Sequence, residues 1–240
     1  MVDTATAPSG NAWTRLANSN PIMEFIDVTL RGSGQVIFMD NPLTGLLNFV
    51  AMFVGAARGG TSFEVAIGSV IGTMVSTAMA YLLKANRGNL KAGIYGFNGM
   101  LVGACLPTFL AANPLMWLFL VVGSAVSTIV IMAVANFLAP YKMPAFTFPF
   151  VLTCWLIVLY AKKITGLPPS AGGPLPEGGF NFITAGLNSV SQVWFVADWV
   201  AGIIFLVALA VESIWSFALT ALGAFLGAWF AYACGADVAA

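Results

Sequence analysis

The segment Leu30–Leu46 (LRGSGQVIFMDNPLTGL) resembles a second segment farther along the chain, Leu187–Ile203 (LNSVSQVWFVADWVAGI). The shared residues fall at one constant offset, in the same order. Ordered identities of this kind favour an internal repeat over a chance alignment of two apolar runs. The aligned pairs are Leu30 with Leu187, Gln35 with Gln192, Val36 with Val193, Phe38 with Phe195, Gly45 with Gly202 and, after a short deletion, Gly68 and Gly72 with Gly223 and Gly227.

The composition decides which solvent surrounds the fold. Of the 240 residues, 60% are hydrophobic and 8% are charged, whereas soluble domains carry about 25% charged residues. With a mean hydropathy of +0.93, so small a chain cannot hide its apolar surface from water. The sequence therefore predicts a protein embedded in a lipid bilayer.

Charge and residue types exclude several functions. Nine basic and nine acidic residues give a formal charge of zero, so no nucleic-acid partner is expected. The chain has no histidine, which is the commonest metal ligand and proton shuttle. No nucleophile–base pair, phosphate-binding glycine loop or pair of carboxylates occurs in the sequence. We therefore expect no metal, no cofactor and no enzymatic activity.

Apolar stretches follow one another along the chain, separated by short polar joints. At 1.5 Å per residue, stretches of this length can cross a hydrocarbon layer about 30 Å thick. Helices are expected because they satisfy their own backbone groups in lipid, and unbroken apolar runs do not fit the alternation of a membrane barrel. The predicted fold is an all-α, multi-pass integral membrane protein. The first five stretches are Pro42–Ala57, Phe63–Leu83, Ala92–Ala112, Leu115–Ala139 and Met143–Ala161.

These stretches and the repeat divide the chain into four parts. Residues 1–20 form a polar, loosely ordered lead-in, residues 21–165 a first repeat with a re-entrant pore helix and five membrane helices, residues 166–186 a Pro/Gly-rich linker, and residues 187–240 a partial second repeat. Because five crossings is an odd number, the second repeat enters from the opposite face, as in many inverted-repeat transporters. Two motifs of the first repeat have no counterpart in the second, so we expect the chain to be truncated within the second repeat.

Gln35 and Gln192 hold matching positions just before a span, in segments too short and too broken to cross the membrane alone. A re-entrant half-helix suits such segments, because broken helices at membrane depth are tolerated where they line a cavity. An uncharged amide offers donors and an acceptor without the cost of burying a charge, which favours a neutral, hydrogen-bonding solute. The alternative is a glutamine at the membrane interface that faces water.

Two further motifs interrupt apolar spans. GIYGFNG (Gly93–Gly99) brings three glycines and an asparagine into a span, and Phe97 shares a helical face with Leu101, which is also typical of simple packing. MPAFTFPF (Met143–Phe150) contains two prolines, each of which frees a backbone carbonyl that needs a partner in lipid. The hydroxyl of Thr147 and a permeating amide both suit that need. Three Asn-Pro pairs predict helix starts with an asparagine cap: Asn20-Pro21, Asn41-Pro42 and Asn113-Pro114.

From about Pro21 to the C-terminus, the sequence resembles the urea transporters. The resemblance rests on four segments in this order: LRGSGQVIFMDNPLTGLL, GIYGFNGMLVG, MPAFTFPF and the second QVWF segment. The resemblance implies two inverted halves of five membrane helices, each with a re-entrant pore helix, assembled as homotrimers with one pore per protomer. It implies facilitated, channel-like passage of urea down its gradient. Urea would pass through a narrow slot between phenylalanine rings and a row of oxygens, in a bacterial inner membrane.

The resemblance also assigns roles to residues of this sequence. On the first pore helix it places Gln35, Val36 and Phe38. One wall of the slot would be formed by Phe97 and Leu101, and the narrow midplane by Thr147. The symmetry mates of the first three residues would be Gln192, Val193 and Phe195.

The sequence departs from the family pattern in the second repeat. The second aromatic–aliphatic pair and the second threonine, which complete the slot, are absent. Two alternatives to urea passage therefore stay open. One is a channel for another small neutral solute, such as a short amide, water or ammonia. The other is a non-conducting, truncated membrane protein.

Overall fold

The computed structural model describes residues 12–161, 163–164, 166–171 and 181–235. Within these residues the chain forms eleven α-helices and no β-strand, which confirms the all-α prediction. The helices are α1 Ala12–Ser19, α2 Pro21–Gly34, α3 Pro42–Ala57, α4 Phe63–Leu82, α5 Arg87–Lys91, α6 Gly96–Phe109, α7 Pro114–Leu138, α8 Phe148–Ala161, α9 Phe182–Ser191, α10 Trp199–Glu212 and α11 Ile214–Ala233.

The predicted Asn-Pro helix starts are confirmed at all three sites. Proline occupies the first turn of α2, α3 and α7, where its missing N–H costs no helical hydrogen bond. The asparagine before each proline has extended backbone, and its side-chain oxygen accepts a hydrogen bond from a main-chain N–H of the first turn. The pairs are Asn20 with Ile22, Asn41 with Leu43 and Asn113 with Met116.

Among the described residues, three helices are long and apolar enough to cross a bilayer alone: α4, α7 and α11. Two bent helix pairs, α2 with α3 and α9 with α10, add up to two further spans. The helices α3, α6 and α8 contain 16, 14 and 14 residues, fewer than the roughly 20 that a full crossing needs. The chain is a multi-pass integral membrane protein that combines long helices with short, interrupted ones.

The third predicted span, Ala92–Ala112, begins later than expected. Its helix, α6, starts at Gly96, after a turn at Gly93 with φ +77°. A Cβ at Gly93 would collide with the backbone of Arg31 and Gly32 in α2, so only glycine fits there. The glycine-rich motif therefore packs a turn against α2 before its helix begins.

The two similar segments, Leu30–Leu46 and Leu187–Ile203, adopt the same local shape. The helices α2 and α3 meet at 75°, and α9 and α10 meet at 70°. In each pair a 3₁₀ turn that begins at Gln35 or Gln192 leads to a phenylalanine in the left-handed conformation, Phe38 or Phe195, both with φ 61°. A sharp bend at such a turn is the geometry expected of a re-entrant segment.

Glycines bring α4 and α6 to backbone contact. Gly68 and Gly72 of α4 face Gly103 and Gly99 of α6, and a Cβ on any of the four would overlap the carbonyl of the glycine that faces it. Small residues at a spacing of four allow membrane helices to approach this closely. The contact fixes the position of α6, which begins within the Gly93–Gly99 motif, relative to α4.

The helices α9, α10 and α11 are attached to the preceding part of the chain through α3. Thr44 of α3 donates a hydrogen bond to the carbonyl of Ala208 in α10 at 2.9 Å. Arg58, just after α3, pairs with the buried carboxylate of Asp198 at 2.8 Å. The same carboxylate caps α10 by accepting from the N–H of Ala201. These bonds hold the second bent pair against the first.

The prediction of a loosely ordered lead-in is wrong for the part that the structure describes. Ala12–Ser19 forms α1, and the indole N–H of Trp13 donates to the carboxylate of Asp27 in α2. The bond joins residues 14 positions apart, so local sequence gave no sign of it. Residues 1–11 lie outside the described residues.

The predicted linker, residues 166–186, is partly built into the fold. Leu167 is buried, and the carbonyl of Pro168 accepts a hydrogen bond from the chain that follows α6. Helix α9 begins within the predicted linker, at Phe182. The prolines and glycines correctly exclude helix from residues 166–171, but they do not reveal this tertiary pairing. Residues 172–180 lie outside the described residues.

Candidate solute cavity

A cavity of about 530 Å³ opens beside the first bent pair. It is bounded by the turn after α2, by α5, by the start of α6, by the last turns of α7 and by the segment before α8. None of its lining residues is charged, whereas four carry an uncharged amide and four are aromatic. The lining consists of Gln35, Phe38, Asn86, Asn89, Ile94, Tyr95, Phe97, Ile131, Met132, Ala135, Asn136, Pro144, Ala145 and Phe146.

Solvent exposure separates a rim from a floor in this cavity. The rim is the set of exposed polar and aromatic lining residues, and the floor is the set of buried ones. The cavity therefore passes from an exposed, amide-rich mouth to a buried interior with few polar groups. The rim comprises Phe38, Asn86, Asn89, Asn136 and Phe146, and the floor comprises Gln35, Tyr95, Phe97, Ile131 and Ala145.

Gln35 presents a hydrogen-bond acceptor at the floor. Its side-chain NH₂ donates to the carbonyl of Ala92 at 2.8 Å, which fixes the orientation of the amide. The amide oxygen has no hydrogen-bond partner among the described residues. A fixed, uncharged acceptor can bind a polar solute in a place where a carboxylate would be costly to bury.

Phe38 and Phe146 are held in left-handed backbone conformations, with φ of 61° and 46°. Bulky residues rarely adopt this region, and holding one there costs about 1–3 kcal/mol. The two rings meet edge to face at the rim, with centroids 5.6 Å apart. Strain of this kind persists only where the surrounding structure enforces it, and it is concentrated at functional sites.

Asn98 holds the segment that carries Phe146. It is fully buried in α6, and its NH₂ donates to the carbonyl of Phe146 at 3.3 Å. Its oxygen accepts from the N–H of Phe150 at 2.9 Å. Phe150 lies in the first turn of α8, where N–H groups have no partner within the helix. Asn98 thus caps α8 from a neighbouring helix and joins the Gly93–Gly99 motif to the Met143–Phe150 motif.

Arg31 fixes the turn that carries Phe38. Its Nε donates to the carboxylate of Asp27 at 2.8 Å, and its Nη1 donates to the carboxylate of Asp40 at 2.6 Å and to the Asp40 carbonyl at 3.0 Å. Asp27 lies one turn earlier in α2 and Asp40 lies beyond the bend. The guanidinium therefore bridges the two ends of the turn, a task that suits its planar set of donors.

We expect Arg31→Gln to lower the free energy of unfolding by about 1–2 kcal/mol, because it removes a partly buried pair of ionic contacts. Since the turn no longer holds Phe38 in place, the substitution should also reduce several-fold the flux of a small neutral solute through the cavity. Thermal unfolding in detergent and flux in proteoliposomes measure the two effects. The control is Arg15→Gln, an exposed arginine of α1 with no ion pair among the described residues. Equal flux in both variants would contradict the positioning role.

Three of the nine predicted site residues line the cavity together: Gln35, Phe38 and Phe97. The other three from the first repeat lie close to it without lining it. Val36 and Leu101 belong to the same buried hydrophobic cluster as Phe97, and Thr147 is half-buried just before α8. Their contact with a solute stays a prediction.

The three predicted residues of the second repeat are not part of this cavity. Gln192 and Val193 are exposed. Phe195 is half-buried, and its ring meets those of Phe109 and Phe150 edge to face at 6.1 and 6.3 Å. The second bent pair therefore has the shape of the first, but it has different surroundings.

The structure adds four polar lining residues that were not among the predicted site residues. Asn86, Asn89 and Asn136 supply the amides of the rim, and they come from the α4–α5 joint, from α5 and from the end of α7. Tyr95 contributes to the floor. A signal for Tyr95 was present in the sequence, because it stands two residues before Phe97 in the glycine-rich motif. The asparagines gave no such signal, since polar residues are common in the joints between spans.

The chemistry of the cavity is that of reversible binding. Its polar groups are neutral amides and one phenol, which exchange hydrogen bonds with a solute without forming covalent bonds. Among the described residues, no cluster of three or more acidic or cysteine side chains is arranged to hold a metal ion.

Comparison with known proteins gives an independent finding. A sequence-family model described as urea transporter matches residues 26–240. Urea transporter 1 of Ovis aries is 34% identical to this chain over 131 residues, which cover 53% of the chain and 33% of that relative. Urea transporter 1 of Mus musculus is 33% identical over 132 residues, which cover 54% of the chain and 33% of that relative. The chain thus covers about one third of the length of these relatives.

Proposed function

Because this chain belongs to the urea transporter family, we propose that the protein carries urea across the membrane by facilitated, channel-like passage down its gradient. Proteins of this family are transporters and not enzymes. The observation that supports the proposal best is the uncharged cavity, in which amide side chains stand beside aromatic rings. Urea is neutral, planar and polar, so ring faces can hold its plane while side-chain oxygens accept from its N–H edges.

In this proposal, urea leaves bulk water at the rim. The paired rings of Phe38 and Phe146 offer apolar surface to its faces, and Phe97 bounds the floor. The fixed amide oxygen of Gln35 accepts a hydrogen bond from one N–H of urea and replaces part of its lost hydration. Several weak sites of this kind allow release as well as binding, which a channel requires.

We further propose that the passage continues past the floor along Val36, Leu101 and Thr147. Gln192, Val193 and Phe195 then play the corresponding part in a second unit. The matched bends, and the matched left-handed Phe38 and Phe195, support this arrangement. In the proposal, residues 21–165 and 187–240 are inverted repeats joined by residues 166–186.

Urea flux into proteoliposomes tests the proposal directly. With the full-length protein, stopped-flow light scattering should show reswelling under a urea gradient that is faster than in empty liposomes. Gln35→Met, which keeps the side-chain length but removes the amide, should lose most of that flux. Flux of urea no faster than in empty liposomes would contradict the proposal.

Parallel flux measurements distinguish the alternatives. Faster passage of acetamide, water or ammonia than of urea would favour a channel for another small neutral solute. A folded protein that passes none of them would favour a non-conducting membrane protein. Each outcome is read against the same liposomes without protein.

We also propose that the protein assembles as a homotrimer with one passage in each protomer. Exposed apolar side chains along α8, such as Trp155, Leu156 and Leu159, offer surface for lipid or for a neighbouring protomer. Cross-linking in the membrane measures the assembly. The placement in a bacterial inner membrane stays a prediction from the resemblance, because the relatives named above are mammalian.

A further inference from the structure

We propose that the cavity contains a further binding subsite for planar amides, built on the hydroxyl of Tyr95 on the floor and on the rim asparagines, which captures urea on its way past Gln35. The inference rests on the proposed function and adds to it, because none of these residues belongs to the predicted slot. The subsite sets how strongly urea is bound in the cavity, whereas the slot sets how fast it passes.

Tyr95 supplies the fixed hydrogen-bonding group of this subsite. Only 7% of its surface is exposed, and its ring belongs to the hydrophobic core. Its hydroxyl makes no hydrogen bond within the described residues, yet it is not among their solvent-inaccessible polar atoms without a partner. A buried tyrosine normally finds a partner for its hydroxyl. Since Tyr95 lines the cavity, the proposal gives its hydroxyl a solute as partner there.

The rim asparagines supply both donors and acceptors. The oxygen of Asn86 accepts from the N–H of Asn89 at 3.1 Å and caps α5, which leaves the NH₂ of this lining residue without a partner among the described residues. The side-chain amides of Asn89 and Asn136 make no hydrogen bonds within the described part of the chain. Urea has one carbonyl acceptor and two NH₂ groups, and these amides match both kinds of group.

The charged residues of α5 do not line the cavity. Arg87 of α5 pairs with Glu24 of α2 at 2.7 Å and lies over the ring of Tyr81, with its guanidinium carbon 5.9 Å from the ring centroid. Neither Arg87 nor Lys91 lines the cavity, although both are in the same short helix as Asn89. The mouth therefore favours a neutral amide over an ion.

Tyr95→Phe is the sharpest test because it removes one oxygen and leaves the buried ring in place. One neutral hydrogen bond is worth about 1 kcal/mol, so we expect the half-saturating urea concentration to rise about fivefold. The maximal urea flux and the water flux should stay unchanged. Asn89→Ala combined with Asn136→Ala should also raise the half-saturating concentration. The measurement is initial urea flux against urea concentration in proteoliposomes of the full-length protein.

Two controls match these variants outside the cavity. Tyr160→Phe removes the same oxygen from an exposed tyrosine of α8, and Asn18→Ala removes an exposed amide from α1. Both should leave the half-saturating concentration unchanged. Thermal unfolding in detergent should be the same for Tyr95→Phe and Tyr160→Phe, which excludes misfolding as the cause.

The outcomes separate this inference from the proposed function. If the unmodified protein conducts urea and Tyr95→Phe keeps its half-saturating concentration, the subsite is overturned and the function stands. If Tyr95→Phe lowers the maximal flux alone, the hydroxyl acts in passage and the capture role is overturned. If the unmodified protein passes no urea, both proposals fail together.

Discussion

Gly72→Ala is expected to lower the free energy of unfolding by about 3 kcal/mol, at the upper end of what overpacking costs. The added methyl group would overlap the main-chain carbonyl of Gly99, which cannot rotate away as a side chain would. The helices α4 and α6 must then separate, and the start of α6 that carries Phe97 moves with them. Equilibrium unfolding of the 240-residue chain in mixed micelles measures the loss.

The matched control is Gly227→Ala in α11. Gly223 and Gly227 repeat the spacing of Gly68 and Gly72, but a Cβ at Gly227 meets no heavy atom within 4 Å among the described residues. Alanine also favours a helix over glycine by about 1 kcal/mol, so this variant should be neutral or slightly stabilising. Similar losses in both variants would show that the glycine contact between α4 and α6 is not what limits stability.

Asn98→Leu is expected to nearly abolish urea flux and to lower the free energy of unfolding by about 2–4 kcal/mol. Leucine has the same number and branching of side-chain heavy atoms, but it leaves the carbonyl of Phe146 and the N–H of Phe150 without partners in an apolar interior. The strained segment before α8 then relaxes, and Phe146 loses its edge-to-face contact with Phe38. Flux in proteoliposomes and unfolding in mixed micelles measure the two effects.

Asn113→Leu is the matched control, because it also removes one donated and one accepted hydrogen bond, but at a more exposed position. The Asn113 oxygen caps α7 by accepting from Met116, and its NH₂ donates to the carbonyl of Gly166 at 3.0 Å. Water can replace both bonds there, so we expect a loss of about 1 kcal/mol, typical of a helix cap, with urea flux unchanged. If Asn98→Leu kept its flux while losing stability, the role of Asn98 in shaping the cavity would be refuted.

Much of the fold follows from local chemistry. Apolar runs without alternation can satisfy their backbone groups in lipid only as helices, and the three Asn-Pro pairs determine where helices begin. Helix α1 was missed because its order depends on the bond from Trp13 to Asp27. The start of α6 was misplaced because the turn at Gly93 is formed against α2.

The candidate site was predictable only where a motif marked it. Gln35, Phe38 and Phe97 each stand in a segment that breaks an apolar span, and the structure brings the three into one cavity. The edge-to-face partner of Phe38 is Phe146, which nothing singled out within MPAFTFPF. Its ring points to the rim because Asn98 holds its backbone in a conformation that phenylalanine does not favour alone.

Identical glycine spacings show how far sequence reasoning reaches. Gly68 and Gly72 meet glycines of α6 at backbone distance, whereas Gly223 and Gly227 meet nothing among the described residues. The glycine pattern indicates that another helix can pack closely against this one, because glycine has no Cβ to prevent it. Whether a neighbour is there depends on contacts between distant segments, which the pattern does not contain.

The sequence by itself determined the solvent, the helical class, the helix starts and the paired bends of this protein. These depend on hydropathy, on proline and on asparagine caps, and such effects act within a few residues. The tertiary structure alone decided which groups surround the cavity, since Asn86, Tyr95, Asn136 and Phe146 come from four separate segments. It also decided the left-handed conformation of Phe146, whose carbonyl accepts a hydrogen bond from Asn98 of α6.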